Sequence, residues 1–390
     1  MNVMTPLPPP GQPLMHYVST APFDPSSGET MSEQQKRVFL ASQWKLMWWK
    51  FKRHRLALIS AILLAILYGM IVIAEFLAPY NLETRKVDSI YSPPQSVRLF
   101  HDGSLVGPFV YGRTVQLNMD TLKREYKDDP TKVQKLRFFC HGDRYKFWSL
   151  VESSLHFVCP AEGGQFFLLG TDQLGRDVLS RIIYGARISL TIGLLGVSVS
   201  FILGIVIGGL AGAFGGWVDT VLMRLVDVML SVPSLLLAIS VAALFAKPSQ
   251  WTVILAVSLI GVPIFARLLR GSMLVQRGSD HVLAATSLGV KRGAIVFRHM
   301  LPNSLSPVIV QSTLVLATAI IEAAALSFLG LGNPDDRIPE WGQMLGDVQN
   351  VFDTHPHLAA WPAVCIIIVA LGFTLMGETL REALDPKNRR

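Results

Sequence analysis

The stretch DHVLAATSLGVKRGAIVFRHMLPN, from Asp280 to Asn303, decides the fold of this chain, because it is polar and basic yet lies between two strongly apolar segments. Ser279 is placed to cap a helix that begins at Asp280. The apolar positions of that helix recur at a spacing of three residues: Val282, Ala285, Leu288. Gly289 can adopt the left-handed conformation that ends a helix, so the pattern predicts a short helix followed by a turn.

A second helix is predicted from about Lys291, with Ile295 and Val296 directed inward, until Pro302 ends it. The basic side chains around it are expected in solvent: Lys291, Arg292, Arg298. An ordinary loop could have this composition, and A-A-x-x-L-G-V before a basic helix is also typical of DNA-binding helix-turn-helix motifs. Membrane spans on both sides argue against DNA binding, because a recognition helix must reach a groove freely.

The same stretch resembles the conserved cytoplasmic loop of ABC-importer permeases, whose pattern is E-A-A, three residues, Gly, nine residues and I-x-L-P. The residues that fit are Ala284, Ala285, Gly289, Leu301 and Pro302. Leu283 replaces the glutamate of the pattern and His299 replaces the isoleucine, but Phe297–Asn303 is similar to the peptide-and-nickel branch in particular. The resemblance implies that this loop couples to an ATPase subunit. The coupling residues it implies are Asp280, His281, Ala284, Ala285, Gly289, Leu301 and Pro302.

Composition agrees with a membrane protein. Of the 390 residues, 51% are hydrophobic and 16% are charged, which suits several membrane spans and not a soluble domain. Basic residues that flank spans account for much of the net charge of +7, so this charge does not indicate nucleic-acid binding. Three cysteines exclude a disulfide-rich scaffold, and no close group of cysteines and histidines indicates a metal site.

Six apolar runs are predicted to cross the membrane in an all-α transmembrane core. They are Leu56–Leu77, Ile188–Phe214, Val228–Ala246, Trp251–Ala266, Ser306–Leu331 and Leu358–Gly377. Pro233 and Pro263 are expected to kink the third and fourth runs. Glycines in the second run suit close contact between helices: Gly204, Gly208, Gly209, Gly212.

The predicted organisation has four parts. These are a disordered N-terminal extension over 1–35, an interfacial helix and the first span over 36–80, an insertion over 81–168, and a permease core over 169–390 with its coupling loop at 270–305. The difference in charge between the short loops predicts on which side of the membrane each loop lies. The loop before the fifth span is basic (Arg267, Arg270, Arg277, Lys291, Arg292, Arg298), and the next loop is acidic (Asp335, Asp336, Glu340, Asp347, Asp353). The positive-inside rule therefore places both termini and the coupling loop in the cytoplasm, and the insertion in the periplasm.

The insertion is expected to be a small α+β unit. Ser96–Phe100 and Ser104–Tyr111 flank His101-Asp102-Gly103, which predicts a β-hairpin. The charged segment Leu122–Leu136 is interrupted by Pro130, which predicts two short helices. The unit is either an inert spacer or a docking surface for an extracytoplasmic partner.

Two of the cysteines, Cys140 and Cys159, lie in the insertion, on the oxidising side of the predicted topology. The sequence leaves both a disulfide between them and two unpaired thiols open. Cys365 lies inside the sixth predicted span, where it is expected to pack.

The segment Leu169–Leu190 is predicted to be an interfacial helix capped by Thr171 or Asp172. Its apolar residues are expected to face lipid (Val178, Leu179, Ile182, Ile183), and its arginines headgroups or water (Arg176, Arg181, Arg187). G-T-D-x-L-G-R-D and S-R-x-x-Y-G-A-R in this segment also resemble the dipeptide/oligopeptide/nickel permeases. Three later segments also resemble this branch: Glu322–Gly332, Trp341-Gly342 and Leu380–Pro386.

Glu322 lies in the middle of the fifth predicted span, where a carboxylate must face protein or water. It either lines a substrate pathway and contacts substrate cations or hydrogen-bonds a neighbouring helix. Asp219, Arg224 and Asp227 lie between the second and third spans. They form either a local group of ion pairs or part of a solvated loop, and the sequence leaves both alternatives open.

No G-x-x-x-x-G-K-[ST] loop occurs in the chain, so it should bind no ATP, and no catalytic or metal constellation is found. The resemblance implies a permease of the bacterial inner membrane that works with a second permease, two ATPases that bind ATP and Mg²⁺, and a periplasmic binding protein. It also implies a short peptide as substrate, with nickel chelates, glutathione-like molecules, opines and oligosaccharides open. The alternative is a non-ABC membrane sensor that uses the basic loop as an effector.

Overall fold

The computed structural model describes residues 49, 52, 54–119, 123–148, 150–245 and 247–384. The predicted N-terminal extension and nearly all of the predicted interfacial helix lie outside these residues, as does the end of the Leu380–Pro386 motif.

Helices flank a block of strands that lies between the first two long helices. In chain order the elements are α1 (Arg55–Val72), α2 (Ala74–Leu77), β1 (Arg98–His101), β2 (Ser104–Asn118), β3 (Lys123–Lys135), β4 (Arg137–Phe147), β5 (Val151–Cys159), α3 (Val178–Phe214), α4 (Gly216–Ser231), α5 (Ser234–Ala243), α6 (Gln250–Arg277), α7 (Asp280–Ser287), α8 (Arg292–Ile295), α9 (Leu301–Phe328), α10 (Trp341–Asp347) and α11 (Pro356–Leu384). Short 3₁₀ turns lie at Val87–Ser89 and Gln349–Val351, and a π-helical turn at Val296–Met300.

Five helices of the described residues are long and apolar enough to cross a membrane: α1, α3, α6, the run from α8 through α9, and α11. The helices α4 and α5 pass the same test only as a pair, and they are bent by 96°. The third predicted span, over Val228–Ala246, is therefore wrong as a single helix. Because Pro233 excludes the helical conformation from the residue before it, Val232 is extended and the helix breaks there. By contrast, α6 continues through Pro263 without a break.

The centre of the core lies where α3 packs against α6 and α9. Its fully buried residues include Leu190, Phe265, Leu269 and Ile320. Glycines of α3 allow this approach, because a Cβ at Gly212 would lie 2.8 Å from the Met273 Cβ, and Cβ atoms at Gly204 and Gly208 would overlap Phe265 and Ala266. A capping box between Ser249 and Thr252 starts α6.

The regular elements in the described part of the insertion are strands and one 3₁₀ turn, so the expectation of an α+β unit is wrong in its helical part. β1, β2 and β3 form an antiparallel sheet in that order, and β1 and β2 make the predicted hairpin. The two predicted helices over Leu122–Leu136 are replaced by β3, which pairs with β2 along Gly112–Asn118. Pro130 lies where the register shifts, so its missing N–H removes no bond from the ladder. β4 and β5 form a separate antiparallel hairpin.

Candidate functional site

The predicted coupling helix is α7, which begins at Asp280 as expected. Val282 and Ala285 are buried, but Leu288 is 83% exposed, so its predicted place on the inner face is wrong. Leu288 is the C-cap residue, with non-helical ψ, and it has left the period of the helix. Ser279 is the N-cap residue, yet its hydroxyl donates to the Gln276 carbonyl at 2.5 Å instead of capping α7.

Gly289 has a φ of 75°, which is the predicted left-handed conformation. Its N–H donates to the Thr286 carbonyl at 3.0 Å, and the Val290 N–H donates to the Ala285 carbonyl at 3.1 Å. These two bonds form a Schellman motif, which fixes the direction in which the chain leaves α7.

Pro302 does not end the second helix, contrary to the prediction. α8 passes into the π-helical turn Val296–Met300 and then directly into α9, where Pro302 occupies the first turn. Because a π turn is wider than an α turn, it accommodates the proline ring and its missing N–H without breaking the helix. The second helix of the coupling loop is therefore continuous with the long helix that follows it.

The two ends of the coupling loop meet at His281. Its Nε2 lies 3.5 Å from the Asn303 amide nitrogen of α9, and that amide donates to the His299 carbonyl at 2.8 Å. The implied coupling residues divide by exposure. Asp280, His281, Ala284, Gly289 and Pro302 are exposed, Leu301 is half-buried and Ala285 is buried.

Large apolar side chains are exposed on this loop. They are Leu283 (54%), Leu288 (83%), Val290 (37%) and Phe297 (71%). Sequence reasoning missed Leu283 and Phe297 as surface features. The available signal was two large apolar residues in a stretch that was otherwise basic and polar.

Ion pairs connect α4 to α6 near this end of the core. Arg267 Nη2 lies 2.6 Å from Asp227 Oδ1, and Arg270 Nη2 lies 2.6 Å from Asp219 Oδ2. Of the two alternatives left open by the sequence, both aspartates are therefore ion-paired, and their partners are arginines of α6.

Glu322 lines a cavity of about 490 Å³ at the break between α4 and α5. Ser234, the first residue of α5, and Pro263 of α6 also line it. Glu322 is half-buried, and its carboxylate interacts with the Ser234 side chain. The structure thus places the carboxylate against both a cavity and a neighbouring helix.

At the other end of the core, two arginines are buried. Arg176 and Arg181 are 1% and 2% exposed, so the predicted contact with headgroups or water is wrong for both. Val178, Ile182 and Ile183 are buried as well, not in lipid. This segment leads into the start of α3, and its contacts include the loop before α10.

Aspartates from three separate segments neutralise these arginines. Arg176 Nε lies 2.7 Å from Asp172 Oδ2 and its Nη1 lies 3.2 Å from Asp336 Oδ2. Arg181 Nη2 lies 3.6 Å from Asp347 Oδ2. The cluster ties the start of α3 to the loop between α9 and α10 and to the end of α10.

Asp177 caps α3, in place of the predicted Thr171 or Asp172. Its Oδ2 accepts from the Ser180 N–H and the Ser180 hydroxyl, both at 2.7 Å. Burial raises the pKa of the Asp177 carboxyl to about 7.

Cys140 and Cys159 form a disulfide between β4 and β5, with their Cα atoms 6.2 Å apart. Cys365 on α11 is free and partly buried. Across the described ranges, no group of three or more His, Cys, Asp or Glu side chains is placed to hold a metal ion.

Comparison with known proteins decides which family has this loop and core. Residues 204–390 match the family described as "Binding-protein-dependent transport system inner membrane component", and residues 42–94 match the "N-terminal TM domain of oligopeptide transport permease C". The dipeptide transport system permease protein DppC of Alkalihalophilus pseudofirmus is 46% identical over 218 residues, which cover 56% of this chain and 71% of that protein. The chain belongs to this family of permeases.

Two further relatives by sequence, GsiD and a second DppC, agree with this membership. The glutathione transport system permease protein GsiD of Pectobacterium atrosepticum is 43% identical over 56% of this chain and 72% of its own. The di/tripeptide transport system permease protein DppC of Pseudomonas aeruginosa is 43% identical over 58% and 74%. A solved inward-facing methionine ABC transporter chain aligns with a TM-score of 0.44 and 16% identity over 53% of this chain and 97% of its own.

Family membership confirms the expected ABC permease and excludes the alternative of a non-ABC sensor. Permeases of this family lack an ATPase site, and separate subunits hydrolyse ATP. Neither family description covers residues 95–203, which contain all five strands of the insertion.

Proposed function

We propose that this permease forms half of the membrane pathway of an ATP-driven importer for short peptides. Its partners are a second permease, two ATPase subunits and a periplasmic binding protein. The observation that carries the proposal is the similarity of 41–46% identity to permeases named for dipeptide, di/tripeptide and glutathione transport. The transported solute is therefore a di- or tripeptide or a glutathione-like molecule.

The proposed ATPase contact is α7 with its exposed apolar side chains. Leu283 and Leu288 project from a short helix whose other face, at Val282 and Ala285, is anchored in the permease. A short helix with one anchored face and one exposed apolar face suits a groove on a partner protein. Closure of the ATPases would then move α7, and the helix that is continuous from α8 through α9 would pass this movement to the spans.

The loop charges support an inward orientation of this contact. The exposed basic residues Lys291, Arg292 and Arg298 lie beside α7, which the positive-inside rule assigns to the cytoplasm. The permease then lies in the bacterial inner membrane. Its insertion and the acidic loop between α9 and α11 are periplasmic, and both termini are cytoplasmic.

Glu322 is proposed to meet the substrate. A carboxylate beside a cavity of about 490 Å³ can pair with the amino terminus of a peptide during its passage. Glu322→Gln should lower peptide uptake without changing assembly, whereas Glu322→Asp, which keeps the charge, should retain most of it. Equal uptake by both variants and the unmodified permease would remove Glu322 from the pathway.

The transport proposal is tested with the complete complex in proteoliposomes. A labelled dipeptide should accumulate inside only when ATP is present on the ATPase side and the binding protein on the other. Competition with unlabelled tripeptide and glutathione then ranks these solutes by how strongly each reduces uptake of the labelled dipeptide. Accumulation without ATP, or net movement of peptide toward the binding-protein side, would contradict an ATP-driven importer.

A further inference from the structure

The β4–β5 hairpin has an apolar outer face. Along β5, Val151, Leu155 and Phe157 are 63%, 38% and 39% exposed. His156, between the last two, is completely buried. Its Nδ1 lies 2.6 Å from the Ala78 carbonyl and its Nε2 lies 2.8 Å from the Asp143 carbonyl. Because successive side chains of a strand point to opposite faces, Val151, Leu155 and Phe157 share the face opposite to that of the buried His156.

This arrangement is the reverse of a strand that faces water, where apolar residues point inward. It matches the pattern of strands that present an apolar face to lipid. More apolar side chains extend the face. Phe139 is 66% exposed and its ring lies 5.5 Å from that of Phe157, while Leu150 at the turn is 85% exposed.

The hairpin is fixed at the end of α1. The Phe76 ring of α2 lies 6.1 Å from the rings of both Phe139 and Phe157. At the turn, the Trp148 indole N–H donates to the Val72 carbonyl at 2.9 Å. The guanidinium of Arg187 lies 4.3 Å from the centre of the same indole ring. These contacts hold the hairpin in a defined position relative to a membrane span.

The hairpin lies at the end of α1, which itself exposes apolar side chains. They include Ile59, Ile62, Ile66 and Val72, which are 50–62% exposed. Because α1 is long and apolar enough to cross a membrane, the bilayer surrounds those of them that a second permease does not cover. The opposite face of the hairpin exposes Lys146 and Glu152, whose side chains form an ion pair at 3.7 Å. An apolar face with a tryptophan at its edge is typical of a membrane interface.

We propose that the β4–β5 hairpin lies in the bilayer interface beside α1, with Phe139, Val151 and Phe157 among the upper parts of the lipid chains. Trp148, whose indole N–H donates to the Val72 carbonyl at the end of the span, fixes the hairpin there. The occupant of this face is lipid, since the face is held at the end of a helix that is apolar enough to cross the bilayer. The proposal requires only that α1 crosses the membrane, and it holds for any transported substrate.

Photocrosslinking in the complete complex tests this proposal. Benzoylphenylalanine is placed at Val151 or Phe157, and at Glu152 as the matched control, because Glu152 is exposed on the opposite face of the same strand. Membranes containing radiolabelled phospholipid are then irradiated. The expected result is a labelled permease at Val151 and Phe157, in severalfold greater yield than at Glu152.

Two results would overturn the proposal. One is an equal yield of lipid adduct at the three positions, which would mean that the apolar face has no preferred contact with lipid. The other is an adduct with a second permease or with the binding protein at Val151 and Phe157, which would make this face a protein interface. All three positions are exposed, so the substitutions should leave the fold intact, and the amount of assembled complex checks this.

Discussion

Arg187 of α3 and Glu75 of α2 form a bidentate ion pair, in which Nη1 and Nη2 each lie 2.7 Å from a carboxylate oxygen. The side chain of Glu75 is 5% exposed and that of Arg187 is 19% exposed. The Trp148 N–H also donates to Glu75, at 3.3 Å. One carboxylate therefore joins the end of the first span, the start of the second long helix and the turn of the β4–β5 hairpin.

Removal of this pair should destabilise the permease strongly. Glu75→Gln leaves the arginine charge without its partner, and breaking a buried pair in this way costs about 3 kcal/mol. The melting temperature of the purified permease should fall well below that of the unmodified protein. Asp335→Asn is the matched control, because its pair with Arg337 is solvent-exposed and should contribute nothing measurable. Similar melting temperatures for both variants would contradict the structural role of Glu75.

The cysteines of the insertion should resist alkylation from the periplasmic side. Cys140 and Cys159 are expected to react with a membrane-impermeant maleimide only after addition of a reductant, because the disulfide consumes both thiols. The bridge closes a separation of 19 residues, for which chain entropy gives a contribution of about 3 kcal/mol. Mass spectrometry of the labelled peptides measures the result. Labelling of either cysteine without reductant would exclude the bridge.

Stability should depend on pH through Glu340. Burial raises the pKa of this carboxyl from 4.5 to about 7, and it accepts a hydrogen bond from the Ser327 hydroxyl at 2.6 Å. The folded state then keeps a proton that the unfolded state loses above pH 4.5, so stability falls as the pH rises from about 4.5 to about 7 and is constant above that.

Glu340→Gln mimics the protonated carboxyl and removes this pH-dependent loss. The variant should be more stable than the unmodified permease at pH 8, by roughly 3 kcal/mol at most, and nearly equal to it at pH 5. Thermal melting at the two pH values measures the difference. A difference between variant and unmodified permease that is the same at both pH values would contradict a buried, protonated Glu340.

Reporter fusions test the proposed orientation. An enzyme that is active only in the periplasm should be active when fused after Asp128 in β3, and inactive when fused after Gly278 before α7, because the loop charges place them on opposite sides. A reporter that is active only in the cytoplasm should give the reverse pattern. The opposite result for both fusions would invert the topology and remove α7 from the ATPase side.

The sequence predicts those features that depend on neighbouring residues. Gly289 takes its left-handed conformation and Asp102-Gly103 forms the hairpin turn because each needs only local backbone geometry. Apolar runs long enough to cross the membrane are equally local. The break at Val232 was foreseeable as a kink at Pro233, but its angle of 96° was not, because packing of neighbouring helices sets the angle.

Features that depend on distant residues were mispredicted. Arg176 and Arg181 look like interfacial cations until Asp336 and Asp347, more than 150 residues later, are brought to them. β3 looks like two charged helices because its strand conformation comes from pairing with β2. The sequence of β5 shows apolar residues alternating with polar ones, but it does not show which set faces outward. The burial of His156 shows that the apolar set does.

The central claim is that the loop from Asp280 to Asn303 couples the permease to its ATPases, and Gly289 tests it most directly. A β-branched residue at a φ of 75° is strained although the surrounding space is empty, and the left-handed conformation alone costs about 1–2 kcal/mol. Gly289→Val should therefore reorient α7. Gly293→Ala is the matched control, because Gly293 lies four residues later in open space and in helical conformation.

The decisive measurement is ATP hydrolysis and peptide uptake by the reconstituted complex with each variant. The account predicts normal membrane abundance for both variants, with stimulated hydrolysis and uptake lost in Gly289→Val and retained in Gly293→Ala. Hydrolysis and uptake at unmodified levels in Gly289→Val would contradict the account, because the loop would then not be the coupling element.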